Sequence, residues 1–384
     1  MRKWLSMILV CFLCFNVNVL AEETSVPDLA KNAKSAYLME YSTGEVLYEK
    51  NAEEKLYPAS MTKMLGLILI YEALNNGKLN YEDQITVSET AASMGGSQIF
   101  LEVNEVMSAR DLIKAICIAS ANDAMVAMAE RIGGSVDNFV KMMNDKAREL
   151  NAVNSNFVNT TGLHDSNHYS CAKDMALIGK NLIEVGQEAL LEVTATYDAY
   201  VRENSEKPFW LVNTNKLIKQ VEGVDGLKTG FTSEALSCIT ATAKRDNLRF
   251  ISVVMGEPDS KIRNAESKQL LEYGFAMYDQ LTLYSKGEAL DELNLEFATP
   301  KKSQIVMIDD LPLVFEKGKE PKVLTKNITL DLPPLPIYAG DKIGELHLTL
   351  DNGQSIIADL TVDQSLEKCS YFDLYFIILN KILA

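Results

Sequence analysis

Histidine is scarce in this chain, with three in 384 residues, and the four cysteines beyond residue 21, Cys117, Cys171, Cys238 and Cys369, form no C-x-x-C pair. That scarcity excludes most metal chemistry, because zinc sites draw on His and Cys at short, fixed spacings. His164 and His168 lack the accompanying Glu of the zinc-protease pattern, so no metal is expected. Basic residues are short as well: 37 Lys and Arg face 53 Asp and Glu, a formal charge of −16. Such a chain lacks the basic face that phosphate binding needs, which argues against nucleic acid as a partner. A long apolar run is also missing at the N-terminus, where the stretch Met7 to Phe15 is too short for a stable membrane span.

That stretch reads instead as a removable leader over residues 1–21. Arg2 and Lys3 precede it, Val19-Leu20-Ala21 offers small residues at a cleavage position, and Glu22 and Glu23 follow. An uncleaved anchor is the alternative. Cys14 lacks the small residues that a lipid-modification site wants before it. The expectation is an exported protein at the outer face of the cytoplasmic membrane. Cys117, Cys171, Cys238 and Cys369 then remain, widely spaced, and read as buried small residues with one disulfide left open.

Ala36 to Glu40 and Glu45 to Tyr48, joined by Ser42-Thr43-Gly44, read as a β-hairpin. Pro58 opens an apolar helix through Leu74 that Asn75-Asn76-Gly77 closes. Helical periodicity continues over Ala109 to Ile132 and Val136 to Leu150. Strands return at Gly226 to Thr229, Ala235 to Lys244 and Leu248 to Met255, followed by a closing helix over Ala265 to Leu281. The order predicts an α+β domain over 22–285, with one sheet built from both of its ends and flanked by helices. A small all-β domain over 286–365 follows, carrying strands such as Ser303 to Ile308 and Leu346 to Leu350 and a turn at Asp351-Asn352-Gly353. The tail, 366–384, is amphipathic. Ser370, Asp373, Asn380 and Lys381 share one side, and aromatic and aliphatic residues cover most of the rest. Residues 370–384 fit an anchor lying in the membrane surface, with packing onto the protein itself as the alternative.

Three motifs carry the chemistry. Ser60-Met61-Thr62-Lys63 comes first, then Ser120-Ala121-Asn122, then Lys228-Thr229-Gly230. A Ser hydroxyl is a poor nucleophile until a base takes its proton, and Lys63 lies one helical turn away on the same face. Lys63 can act only if neutral, which burial or a second cation such as Lys228 would bring about. Ser120 can relay a proton toward a leaving amine, and Asn122 can orient Lys63 and hold a substrate carbonyl. Lys228 and Thr229 can pair with a substrate carboxylate, and Gly230 lets the backbone approach. The backbone N–H groups of Ser60 and Phe231 are candidate oxyanion donors. No cofactor is needed.

The motif set and its flanks resemble the low-molecular-mass penicillin-binding proteins that act as D-alanyl-D-alanine carboxypeptidases, serine peptidase family S11. Ala59 to Met64, Ala119 to Ala124, Thr161-Gly162-Leu163-His164, His168-Tyr169-Ser170 and Gly226 to Gly230 all match that pattern. The resemblance implies a penicillin-binding, serine β-lactamase-like fold and removal of the terminal D-Ala from peptidoglycan stem pentapeptides through a Ser60 acyl-enzyme. It also implies covalent trapping by β-lactams. Ala121 stands where relatives often carry Gly, and Cys171 where many carry Thr. Cys171 is read as buried, with a redox-sensitive position the alternative. His164 and His168 are expected to shape their loop and not to act as bases.

Two other readings stay open. A class A β-lactamase needs a Glu-x-x-Leu-Asn loop, and Glu149-Leu150-Asn151 lacks the two intervening residues. A non-catalytic sensor of cell-wall peptides would keep the fold without turnover.

Overall fold

The computed structural model describes residues 27–203 and 205–383; the leader assigned to 1–21 lies outside them. A five-stranded antiparallel sheet runs in the order Val46–Lys50, Ser35–Glu40, Leu248–Glu257, Leu236–Arg245, Val224–Thr232. The N-terminal hairpin therefore pairs with the last strand of the domain, Ala36 opposite Val254 and Leu38 opposite Ser252. Helices cover both faces, which is why Leu248–Glu257 is buried at every position. Alternate residues of each strand enter different cores. Ala36, Leu38 and Phe250 pack under the helix Ser260–Met277, whereas Tyr37, Met39 and Ile251 face the larger helical body.

The helical body is organised around Lys63–Asn75, ten of whose thirteen residues are buried. A helix without a polar side must lie in the centre of a layer, and its neighbours are Ala109–Ala119, Asn122–Gly133, Val136–Glu149 and Ala172–Ala195. Ala172–Ala195 crosses the sheet at Gly179, where an added Cβ would stand 3.1 Å from Thr240 Cγ2. The expected single helical run from 109 to 132 is two helices, broken at Ser120 and Ala121.

The closing helix ends at Met277, short of the expected Leu281, and Tyr278–Tyr284 is a strand. Its ladder with Leu311–Glu316 decides this, with Leu281 opposite Leu313. Beyond it a second five-stranded sheet contains Ala289–Asn294, Lys302–Met307, Ser355–Val362, Gly344–Leu350 and Val323–Leu330 in that order. Leu346, Leu348 and Leu350 alternate inward, and the Asp351-Asn352-Gly353 turn joins Gly344–Leu350 to Ser355–Val362 with Gly353 at φ 88°.

The last helix is Tyr371–Leu383. Ser370 and Asp373 cap it reciprocally: the Asp373 N–H donates to Ser370 Oγ, and the Ser370 N–H donates to Asp373 Oδ2. Tyr371, Phe372, Tyr375, Phe376, Ile382 and Leu383 are exposed on it. The side chains of Asn380 and Lys381 lie outside the described set. Among the described residues no helix is long and apolar enough to cross a membrane.

Candidate active site

Ser60 sits in a 3-10 turn, Ala59–Thr62, that leads directly into the helix Lys63–Asn75. Ala59 takes φ 47°, a strained value for a residue with a Cβ, and so re-aims the chain just before Ser60. Lys63 Nζ lies 2.9 Å from Ser60 Oγ and donates to the Thr161 carbonyl at 2.8 Å. Lys63 has no exposed surface. Burial drives its pKa well below the usual lysine value, Lys228 lowers it further, and Asp123 opposes both. A neutral amine that donates one N–H to Thr161 keeps its lone pair for the Ser60 proton.

The Thr161 carbonyl is set by Gly162, at φ 83°, whose Cα lies against the Ala59 carbonyl with no room for a side chain. His168 locks the same loop to the Ala59–Thr62 turn. Its Nδ1 accepts from the Val158 N–H at 3.2 Å, so Nε2 carries the proton and donates to Thr62 Oγ1 at 2.7 Å. Burial pushes the imidazole down to about 4, leaving it neutral. His164 packs edge-on against Tyr57, ring centroids 4.7 Å apart.

Ser120 ends the helix Ala109–Ala119 in the left-handed conformation, φ 61° and ψ 32°. Its buried Oγ has no partner among the described residues. Asn122 opens the next helix, its Nδ2 donating to the Gly95 carbonyl at 2.6 Å and its N–H to the Ser97 carbonyl at 2.7 Å. Its Oδ1 is buried and unpaired. Unpaired buried polar atoms are costly in a fold, and here two of them belong to the second motif. Asp123 braces the neighbouring segment by accepting from the N–H groups of Ile99 and Leu101.

The third motif lies on the edge strand Val224–Thr232. A Cβ at Gly230 would stand 2.6 Å from the Pro58 carbonyl oxygen and 3.2 Å from the Ser60 nitrogen, so the strand and the Ser60 turn meet backbone to backbone. Lys228 is buried, donates to the Thr229 carbonyl at 3.0 Å, and falls to about 7 through burial, with Arg263 lowering it further. Thr229 Oγ1 donates to Thr214 Oγ1 at 2.8 Å. Phe231 is 65% exposed, its ring at the surface beside the motif.

Glu149 takes no part. It ends a helix, exposed, in an ion pair with Lys146 at 2.7 Å. The described cysteines are all free. Cys171 is buried and caps the helix Ala172–Ala195 with its sulfur, its thiol pushed up to about 12 by burial. That environment suits an inert residue and not a redox sensor. Among the described residues no cluster could hold a metal ion.

Residues 21–259 match the family model for D-alanyl-D-alanine carboxypeptidase, peptidase S11, and residues 278–368 match the penicillin-binding protein 5 C-terminal domain. The chain belongs to the S11 family. It is 42% identical over 376 residues to the D-alanyl-D-alanine carboxypeptidase DacF of Bacillus subtilis, covering 97% of this chain and 96% of that protein. It is 32% identical to DacC of Escherichia coli, over 93% and 90% of the two chains. Penicillin binding protein 5 from Haemophilus influenzae superposes with a TM-score of 0.74 at 34% identity, over 88% of this chain and 98% of that one. Penicillin-Binding Protein D2 from Listeria monocytogenes in its ampicillin-bound form gives 0.57 at 31% identity, over 64% and 97%. As an S11 member the chain is a serine-type D-Ala-D-Ala carboxypeptidase of the cell wall, in an α+β fold with an all-β domain behind it.

Sequence motifs leave several contributors to the site unassigned. Thr161 acts through its carbonyl, and Gly95 and Ser97 through theirs, so their side chains give no signal. Thr214 belongs to no motif, and only its contact with Thr229 marks it.

Proposed function

We propose that Ser60 is the nucleophile that forms the acyl-enzyme with the stem pentapeptide, with Lys63 as its base. The observation that carries this is a solvent-free Lys63 Nζ at 2.9 Å from Ser60 Oγ. Ser60 Oγ attacks the carbonyl of the penultimate D-Ala while its proton passes to Lys63 Nζ. The oxyanion is held by the N–H groups of Ser60 and Phe231. The intermediate collapses, the peptide C–N bond breaks, and the proton returns through Ser120 to the amine of the departing D-Ala. Asn122, with its oxygen unpaired, orients the Lys63 amine and the incoming amide. Lys228, Thr229 and Gly230 receive the terminal carboxylate and backbone. Water then cleaves the Ser60 ester.

β-Lactams acylate Ser60 by the same attack, and with Glu149 exposed at a helix end and paired with Lys146 their adduct is long-lived. Export, with the mature domain starting at residue 22, places Ser60 outside the cytoplasm. The exposed aromatic face of Tyr371–Leu383 supports docking on the membrane surface. Domains at 22–285, 286–365 and 366–384 fit this division of labour.

Release of D-Ala from a diacetylated Lys-D-Ala-D-Ala peptide tests the reading. Wild-type protein should release it and Ser60→Ala should not. A folded Ser60→Ala protein with unchanged release would remove Ser60 from the mechanism.

A further inference from the structure

Thr214 stands between two buried asparagines, and both are tied inward. Asn213 Nδ2 donates to the carbonyls of Thr194 and Thr196 at 2.9 and 2.8 Å, and Asn215 Nδ2 donates to the Gly226 carbonyl at 2.9 Å. Thr214 lies at the bend between them, and its hydroxyl meets Thr229 of the third motif. Its own N–H donates to the Ile118 carbonyl at 3.2 Å, two residues before Ser120. One residue thus ties the end of the Ser120 helix to the Lys228 strand.

The hydroxyls decide what this residue can do. Each threonine has one O–H proton. Thr229 gives its proton to Thr214, 2.8 Å away, so in the free enzyme Thr229 offers only lone pairs to an approaching anion. The Thr214 proton has no acceptor among the described residues, and Thr214 is half-buried where Thr229 is nearly closed off. Three described arginines that could offer a fork to an anion are already held. Arg202 is held by Glu105, Arg249 by Asp225, and buried Arg263 by the Cys238 carbonyl and Asn264.

We propose that Thr214 is a substrate-binding residue whose hydroxyl donates to the terminal carboxylate of the acyl donor, at the head of a Thr229→Thr214→carboxylate chain. The Lys228 ammonium supplies the countercharge. A donated bond polarises the next donor in such a chain, so the pair binds an anion better than either hydroxyl alone. This deepens the carboxypeptidase reading and rests on its placing of the carboxylate at Lys228 and Thr229. Selectivity for a free carboxylate is thereby assigned to a hydroxyl pair in place of a bidentate cation.

The test compares acylation of the full chain by benzylpenicillin, which carries a carboxylate, and by its methyl ester, which does not. Thr214→Val should slow the acid by about tenfold, the value of one hydrogen bond to a charged group, and leave the ester within about twofold on the same basis. Thr214→Ser should restore the acid rate, and on the peptide substrate Thr214→Val should raise KM and spare kcat. Equal loss on acid and ester, or no loss on either, overturns the proposal. Thr229→Val separates the layers. If it collapses the acid-to-ester ratio and Thr214→Val does not, Thr214 alone is wrong. If neither changes the ratio, the carboxylate is not held by this strand and the underlying placement falls too.

Discussion

Gly162 and Ala59 touch backbone to backbone, and a Cβ at 162 would overlap the Ala59 carbonyl outright. The carbonyl before Gly162 holds Lys63, and the residue after Ala59 is Ser60. One contact therefore sets both partners of the proposed proton transfer. Gly162→Ala should lower the rate of penicillin acylation by about 100-fold or more, the scale for misplacing a reacting group by roughly 1 Å. Circular dichroism should show the helices retained. Near-normal acylation would show that the loop can shift without moving the site.

Lys63→Arg keeps a long basic side chain but cannot yield a neutral base at working pH. Acylation should fall by about 100- to 10,000-fold, the range for losing a general base. Stopped-flow acylation kinetics measure this directly, and a rate close to wild type would exclude Lys63 as the base.

Lys228 at about 7 predicts a pH limb. Its ammonium is present below that value and lost above it, so kcat/KM for carboxylate-terminated peptides should decline as pH rises past about 7. Lys228→Arg should keep its charge and move the decline to higher pH. A profile flat from pH 6 to 9 (roughly the span that brackets a pKa near 7) would separate Lys228 from substrate binding.

Glu257 is buried beside Glu266, with Lys50 and Asp259 as its other charged neighbours, and burial lifts its pKa to about 8. Glu266 is meanwhile fixed as an anion by the N–H groups of Asn32 and Ala33. The folded chain holds a proton on Glu257 that the unfolded chain has released above its ordinary value near 4.5. Stability from this group is thus fullest in acid and declines as pH rises toward about 8. Glu257→Gln should raise the thermal midpoint at pH above 8 relative to wild type, and the gain should vanish near pH 4.5. An equal shift at both pH values would mean that packing, and not the proton, sets the difference.

A chain ending at Cys369 keeps the pairing of Glu367–Lys368 with Ala298–Thr299 and loses only the last helix. It should stay in the supernatant when sedimented with anionic lipid vesicles, while the full chain pellets, and both should release D-Ala equally. Equal pelleting would place membrane contact elsewhere.

The motifs were legible because Ser60 and Lys63 are neighbours on one turn and the three sets follow in one order along the chain, whereas helical periodicity over 109–132 hid the break at Ser120 and Ala121. The α+β order was legible because strands at both ends of the domain and helices between them leave one way to close a sheet. Other features were hidden for definite reasons. The Tyr278–Tyr284 strand carries a pattern that also suits a helix, and its type is fixed by pairing with Leu311–Glu316, far along the chain. The Thr161, Gly95 and Ser97 carbonyls work through backbone. Thr214 acquires meaning only when a strand fifteen residues later lies beside it.

The most direct measurement is peptide-mapped mass spectrometry of the protein after reaction with benzylpenicillin. The adduct should reside on the peptide containing Ser60, form on wild-type protein, and persist through rapid gel filtration. Ser60→Ala should carry none. An adduct on another residue, or none on folded wild-type protein, would contradict the account.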